Sequence, residues 1–221
     1  VQNTLIGGLA GDALTTGGEN VALGAYALTA EDTGRKNVAI GVQALLSQNS
    51  DVDNYNTAVG YLTGKSITTG VQNTLIGALA GDALTTGGAN AALGHVALTS
   101  DTKGSRATAI GYGALYAQNF TTATDNYNTA VGYDAGGAIT TGFYNTVMGG
   151  IAGNALTTGN YNVAIGTDTL GADTKGSRTT AIGYAALYSQ NFTTASNTHN
   201  TAIGFYAGLN LTTGSQNTFV G

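Results

Sequence analysis

The chain has 221 residues, of which 35 are glycine, 42% are apolar and only 9% are charged. A formal charge of −5 lacks the basic footprint of a nucleic-acid-binding protein, so nucleic acid is not an expected partner. The chain has no cysteine for disulfides or thiolate sites, and no run of about 18 apolar residues that could span a membrane, so no membrane insertion is expected.

A five-residue motif of the form Asn-Thr-Ala-Ile-Gly organises the whole chain. The glycines that close the motif are Gly7, Gly24, Gly41, Gly60, Gly77, Gly94, Gly111, Gly132, Gly149, Gly166, Gly183, Gly204 and Gly221. Most intervals equal the one from Gly7 to Gly24, and three are longer. A fixed period of about 17 residues is typical of a solenoid, in which every repeat packs only on its neighbours.

The coils form groups of four. The higher repeats cover about 1–70, 71–142 and 143–214, and a partial coil, 215–221, follows. The first and last residues stand at the same phase of the motif. We therefore expect residues 1–221 to be a single continuous solenoid segment, taken from a longer repetitive chain.

The three residues before each closing glycine are expected to form a short strand, which makes the predicted fold an all-β parallel β-solenoid. The last of the three is always apolar, the middle one is usually Ala, and the first is Thr, Val or Ala. The motif positions Asn, Ile and Gly are assigned structural roles, the Asn by hydrogen bonding to adjacent coils. The representatives chosen are Asn3, Ile6, Gly7, Asn37, Ile40, Gly41, Asn73, Ile76, Gly77, Asn162, Ile165, Gly166, Asn200, Ile203 and Gly204.

The rest of each coil contains a turn and an extended arm. Seven places before the closing glycine the residue is Gly, Asp or Asn, as at Gly17, Gly34, Asp53 and Gly70. These residue types tolerate positive φ, so this position is predicted to be a left-handed turn. Longer loops are predicted at 47–56, 117–128 and 189–200.

The motif strand is apolar on both faces, and a strand of that kind needs cover on both. A coil this short is too thin to provide both covers itself. We expect further copies of the chain to provide the second cover, in a trimer.

The pentapeptide at 37–41, 162–166 and 200–204 resembles the head repeats of trimeric autotransporter adhesins. It is equally similar to the Asn-Thr-Ala-Ile-Gly-Tyr repeats of phage tail fibres and related surface proteins. The resemblance covers the whole chain and implies a left-handed parallel β-roll, a trimer, and an extracellular position on a cell or virion surface. The longer coils and the Thr-Thr-Gly arm depart from the adhesin pattern.

Catalytic and metal-binding patterns are weak. His95 and His199 occupy different phases of the coil, and Asp12, Asp51, Asp53 and Asp82 are isolated carboxylates, whereas calcium takes six to eight oxygens. We therefore expect no enzyme activity, no metal and no cofactor.

The basic residues cluster in the turns after each second coil. Arg35, Lys36, Lys103, Arg106, Lys175 and Arg178 stand there, with Asp32, Asp101 and Asp173 close by. A solvated ladder of acids and bases from neighbouring chains is favoured over a docking stripe for an acidic polymer.

Aromatic residues supply the candidate binding surface. The residues that directly follow a closing glycine are Tyr61, Tyr112, Tyr133, Tyr184 and Phe205. Exposed rings can stack on sugar rings, whereas packing over turns or between chains is the alternative.

The sequence therefore predicts a non-enzymatic structural or adhesive segment of an extracellular trimeric fibre. The alternatives are a phage tail-fibre shaft involved in host attachment, and a solenoid that binds a ligand such as a glycan or ice. The expected partners are further copies of the chain and, at the surface, a host glycan or protein.

Overall fold

The computed structural model describes residues 2–221, which form an all-β parallel β-solenoid of about thirteen coils. Hydrogen-bonded residues of adjacent coils are 17 residues apart in most of the chain, as Asn145 and Asn162 are. The predicted fold class and coil length are thus confirmed. Residues 2–221 contain no helix, and thus none of the length and apolarity that crossing a membrane would require.

The chain divides into two compact units, described separately. The first ends at Ala107 and also contains Asn119–Asp125. Its main sheet orders β1 (Thr4–Ile6), β2 (Val21–Leu23), β3 (Val38–Ile40), β4 (Thr57–Val59), β5 (Thr74–Ile76) and β6 (Ala91–Leu93) as parallel neighbours. A small parallel pair joins β7 (Gly104–Ser105) to β9 (Thr124–Asp125).

The second unit comprises Thr108–Gln118 and Asn126–Gly221. Its main sheet orders β8 (Thr108–Ile110), β10 (Thr129–Val131), β11 (Thr146–Met148), β12 (Val163–Ile165), β14 (Thr180–Ile182), β16 (Thr201–Ile203) and β17 (Thr218–Val220). A parallel pair joins β13 (Gly176–Ser177) to β15 (Ser196–Asn197).

The strands pair motif residue to motif residue. Thr4 lies beside Val21, Leu5 beside Ala22 and Ile6 beside Leu23, and the same register recurs between successive strands within each unit. Side chains alternate across a strand, so the middle residue faces one way and its two neighbours face the other. Every coil therefore presents the same residue types on the same face.

The core of each coil is narrow and built from small residues. The middle strand residue is fully buried in most coils, as at Ala39, and the third residue after the closing glycine packs opposite it, as at Ala44. The fourth and seventh residues after the glycine complete the core.

The residue types at those two positions change together. Where the fourth residue is Gly64, the seventh is the buried Ile67, and a Cβ on Gly64 would lie 3.1 Å from its Cδ1 atom. Where the fourth residue is Leu45, the seventh is the buried Gln48. The Gly-Leu-Leu-Gly alternation of the fourth residue through each group of coils therefore marks two kinds of coil cross-section.

The predicted left-handed position is wrong. Gly17, Gly34, Asp53 and Gly70 do not have positive φ. Glycine is needed there for close approach, because a Cβ on Gly17 would lie 2.6 Å from the carbonyl oxygen of Gly34 in the next coil.

The left-handed positions lie elsewhere in the coil, and residues other than glycine occupy many of them. They are the closing glycine, the second and fourth residues after it, and the fifth residue before it. Examples are Gly24 (φ 138°), Tyr26 (59°), Leu28 (53°) and Glu19 (62°). Leucine and tyrosine rarely adopt such values, so the closure of each coil imposes them against local preference.

Candidate functional site

The motif asparagines form hydrogen-bonded rows that connect successive coils. The Asn145 Oδ1 atom accepts the backbone N–H of Asn162 at 3.0 Å, and its Nδ2 atom donates to the carbonyl of Gly159 at 2.9 Å. Asn3, Asn73, Asn162 and Asn200 make equivalent pairs of bonds. The side chain thus satisfies one donor and one acceptor of the next coil.

The row changes at the third coil of each group of four. Asn37 is buried there, but neither its Oδ1 nor its Nδ2 atom has a hydrogen-bond partner. Ala107 and Thr179 occupy the equivalent position in the later groups. In the coil that follows each of these two, a loop side chain accepts the backbone N–H instead: Asn126 for Asn128, and Thr198 for Asn200. The asparagine is therefore replaceable where the longer loop follows.

Three buried carboxylates hold the longer loops, a role that the sequence analysis missed. Asp173 accepts the backbone N–H of Gly176 and of Phe192, each at 3.0 Å, and the side-chain amide of Gln190 at 2.6 Å. Asp101 accepts from Gly104 and Phe120 in the same way.

Glu31 is the equivalent carboxylate of the first group, and it accepts from Gly34, Ser50 and the side chain of Asn54. Glu31, Asp101 and Asp173 are all fully buried. A usable sequence signal exists, because all three stand seven places after a closing glycine, where the other coils carry Leu, Ile or Gln.

These contacts correct the predicted charge ladder. Asp101 and Asp173 are not surface partners of the bases. Three of the basic residues pair within the chain: Arg35 with Glu19 at 3.1 Å, Lys36 with Asp53 at 2.6 Å and Arg106 with Asp125 at 3.3 Å. The hydrogen bond from Lys36 lowers the pKa of Asp53, and the same bond raises the pKa of Lys36.

The histidines and isolated carboxylates do not come together. His95 lies in the first unit and His199 in the second, and both are exposed. Among residues 2–221 no group of three or more His, Cys, Asp or Glu side chains is placed to hold a metal ion.

One column of tyrosines in the second unit is stacked along successive coils. Tyr127 and Tyr144 lie 5.2 Å apart with an angle of 7° between their rings, and Tyr144 and Tyr161 lie 5.1 Å apart with an angle of 9°. The Arg178 guanidinium lies 5.7 Å from the Tyr161 ring centre. The rings stack face to face, so the column presents ring edges and hydroxyl groups to solvent.

The predicted binding residues form a second column, interrupted by small residues. Tyr112 stacks on Tyr133 at 5.4 Å, and Tyr184 on Phe205 at 5.3 Å. The next coil after Tyr133 carries Gly150 at this position, and a Cβ there would have nothing within 4 Å. The outer face of the Tyr133 ring is therefore open, and this ring is 62% exposed; Phe205 is 65% exposed. Tyr61 stands alone between Val42 and Ala78 at the same coil position, and it is also exposed.

A cavity of about 300 Å³ opens beside the stacked pair of Tyr184 and Phe205. It is lined by Asp168, Tyr184, Ala185, Tyr188, Tyr206 and Leu209. The nearby Tyr206 and then the Asp168 carboxylate raise the pKa of the Tyr184 phenol. Three phenol groups and one carboxylate therefore share one concave site. The sequence analysis found only Tyr184 among them, because the other residues meet only through the coil register.

The outer face of the motif strands is an apolar row. The residue before each closing glycine points outward, as the exposed Leu23 and Leu93 show in the first unit and Met148 and Ile203 in the second. The other outward residue of each strand is Thr, Val or Ala, so neither outward position carries a charge in any coil. We name this surface the outer strand face.

No protein-family model matches the chain, and the searches of curated proteins and of solved structures found no match either.

Proposed function

We propose that the chain is a non-enzymatic structural segment of an extracellular fibre, in which copies associate through the outer strand face. The observation that supports this is the uncharged apolar row on each unit, with residues such as Ile76 and Ile203 exposed. Contiguous apolar surface of this kind is typical of interaction sites, because its exposure to water is unfavourable.

A second copy fits this face better than an unrelated partner does. The apolar side chains recur at the spacing between neighbouring strands, about 4.8 Å. A second copy has the same spacing, so its apolar side chains can pack against those of every coil at once. Three copies are proposed because the motif resembles the adhesin head repeats. In a cell-surface adhesin or a virus tail fibre the segment would act mechanically, and the turns and loops would face the host.

The buried hydrogen bonds suit a mechanical role. Most coils satisfy backbone groups of the next coil through the asparagine rows, as Asn73 does for Asn90 and Gly87. Stability then grows with the number of neighbouring interfaces rather than from one central core.

The test is the mass of the chain in solution by native mass spectrometry. We expect three times 22.0 kDa for the unaltered sequence. Ile165→Lys places a charge on the outer strand face and should give mainly monomer. The matched control is Thr158→Lys, which is exposed and stands where Lys103 and Lys175 occur naturally in other coils.

A folded monomer at all concentrations would overturn the proposal, and it would favour the ligand-binding alternative. An unchanged trimer in Ile165→Lys would show that the copies meet elsewhere. A membrane anchor or a tail-attachment domain in the full gene would distinguish a surface adhesin from a tail fibre.

A further inference from the structure

We propose that the cavity around Ala185 binds a neutral hexopyranose, a single sugar unit of a glycan. This inference names the ligand class for the attachment role proposed above. It does not depend on self-association, because the whole cavity belongs to one chain and to its second unit.

The cavity exists because one coil lacks a large side chain. The second residues after three successive closing glycines are Asp168, Ala185 and Tyr206. The buried Ala185 forms the floor, and the larger side chains of the coils on either side form two walls. Tyr184 and Tyr188 come from the same coil as the floor and complete the enclosure.

The aromatic walls are held in place. The Tyr184 ring stacks on Phe205 at 5.3 Å and meets the edge of Tyr206 at 5.5 Å. Tyr188 lies against Gly171, where an added Cβ would be 2.8 Å from the ring. A site with fixed walls loses little conformational entropy on binding. Aromatic walls also suit the C–H face of a sugar ring, which is apolar.

The polar groups match the hydroxyls of a sugar. The half-buried side chain of Asp168 makes no hydrogen bond or ion pair within residues 2–221. A carboxylate accepts strong hydrogen bonds from hydroxyl groups, and phenols can both donate and accept. The Tyr184 phenol carries its proton at neutral pH, as tyrosines ordinarily do, and can donate it to a sugar oxygen.

The size and the charge of the cavity limit the class of ligand that it can bind. A volume of about 300 Å³ is at the small end of ligand pockets and suits one ring rather than a folded segment. The lining contains Asp168 and no basic residue, which disfavours sugars that carry a carboxylate, a sulfate or a phosphate. A neutral hexose is therefore the best fit.

Two tyrosines of this set recur one group of four coils earlier, although Val96 stands there in the place of Asp168. Tyr112, Gly113 and Tyr116 stand there in the places of Tyr184, Ala185 and Tyr188. Asp134 stands in the place of Tyr206, and a Cβ on Gly113 would lie 3.3 Å from its Oδ1 atom.

The test is saturation-transfer difference NMR on the full chain. The probes are methyl glycosides of glucose, galactose, mannose and N-acetylglucosamine, with methyl glucuronide as the charged comparison. We expect saturation of the ring protons of at least one neutral glycoside at millimolar affinity, and at least fivefold weaker binding of the glucuronide.

Two variants locate the site. Asp168→Asn keeps the shape of the side chain and should weaken binding at least fivefold. Gly171→Ala displaces the Tyr188 ring without altering any polar group, and it should also weaken binding. A third variant, Tyr206→Phe, removes one phenol hydroxyl from the cavity and should also weaken binding. Tyr26→Phe is its matched control and should leave binding unchanged, because both tyrosines are exposed with similar positive φ and only Tyr206 lines the cavity.

Binding of no neutral glycoside would overturn the inference, and so would equal binding by Asp168→Asn and the unaltered chain. The monomeric Ile165→Lys chain should still bind sugar. An unaltered chain that is monomeric but binds sugar would therefore count against the fibre proposal alone, and a trimeric chain that binds no sugar would count against the sugar site alone.

Discussion

The asparagine that begins most of the motifs differs in its hydrogen bonding from coil to coil, as Asn145 and Asn37 show. Asn145→Ala removes the acceptor for the Asn162 N–H and the donor to the Gly159 carbonyl, both in the buried interior. Unsatisfied buried groups are destabilising, so we expect a loss of about 2–4 kcal/mol in the free energy of unfolding. Urea unfolding with an unchanged slope is the measurement.

Asn37→Ala is the internal comparison, since the Asn37 side-chain amide has no partner to lose. Its removal should change the free energy of unfolding by less than about 1 kcal/mol. If both variants lost the same free energy, the hydrogen-bond rows would not be the source of the effect.

Two adjacent glycines have opposite requirements. Gly149 has a φ of 130°, and an added Cβ would lie 2.6 Å from the backbone of Gly166 in the next coil. Gly149→Ala should therefore destabilise the chain by about 3 kcal/mol or more, from strain and steric clash together. Gly150→Ala should leave the stability almost unchanged, because its Cβ meets nothing within 4 Å. Thermal unfolding of both variants is the measurement. Near-equal melting temperatures would contradict this account of the closing glycine.

At the scale of the element, the longer loops depend on a single buried carboxylate. Asp173→Ala would leave the N–H groups of Gly176 and Phe192 without their acceptor. We expect the loop at 189–200 to open locally, with faster amide hydrogen exchange at Phe192 and a loss of about 3 kcal/mol.

Asp125→Ala in the corresponding loop at 117–128 is the comparison, because the ion pair of Asp125 with Arg106 is about half exposed. Surface pairs of this kind contribute about 1 kcal/mol or less. Uniformly faster exchange across all coils in Asp173→Ala would contradict a local role for the carboxylate.

The strands of this fold are predictable from sequence because their signal is local. The alternation around Ala39, with Val38 and Ile40 on the other face, is visible in three residues and repeats with the period. The left-handed positions are not predictable in that way. Nothing about Tyr26 or Leu28 favours positive φ, and only the closure of the coil requires it.

The candidate site was partly predictable, because part of its signal is also carried by the repeat period. Tyr184 and Phe205 share a coil phase, so their proximity follows from the period. Asp173 was misassigned because a charged residue in a turn is usually at the surface. The Ala185 cavity depends on which large side chains stand in neighbouring coils, and no single repeat contains that information.

At the scale of the whole molecule, the outer strand face links stability to concentration. If copies cover this face, the assembled state is favoured by mass action, and the melting temperature should rise with chain concentration. We expect a rise of several degrees over a hundredfold range, measured by differential scanning fluorimetry, and no rise for Ile165→Lys. A melting temperature independent of concentration in the unaltered chain would indicate that each chain is stable alone.

The register of the hydrogen bonds has a consequence for inheritance. Corresponding coils of the last two blocks of four offer the next coil similar donors and acceptors, and the loop side chain that replaces the missing asparagine lies within the same block. The blocks that end at Gly149 and at Gly221 are equal in length. Unequal crossing-over between such similar stretches of a gene would add or delete a whole block in frame. The product would keep every coil-to-coil bond, so a population could carry versions of different lengths without passing through a misfolded intermediate.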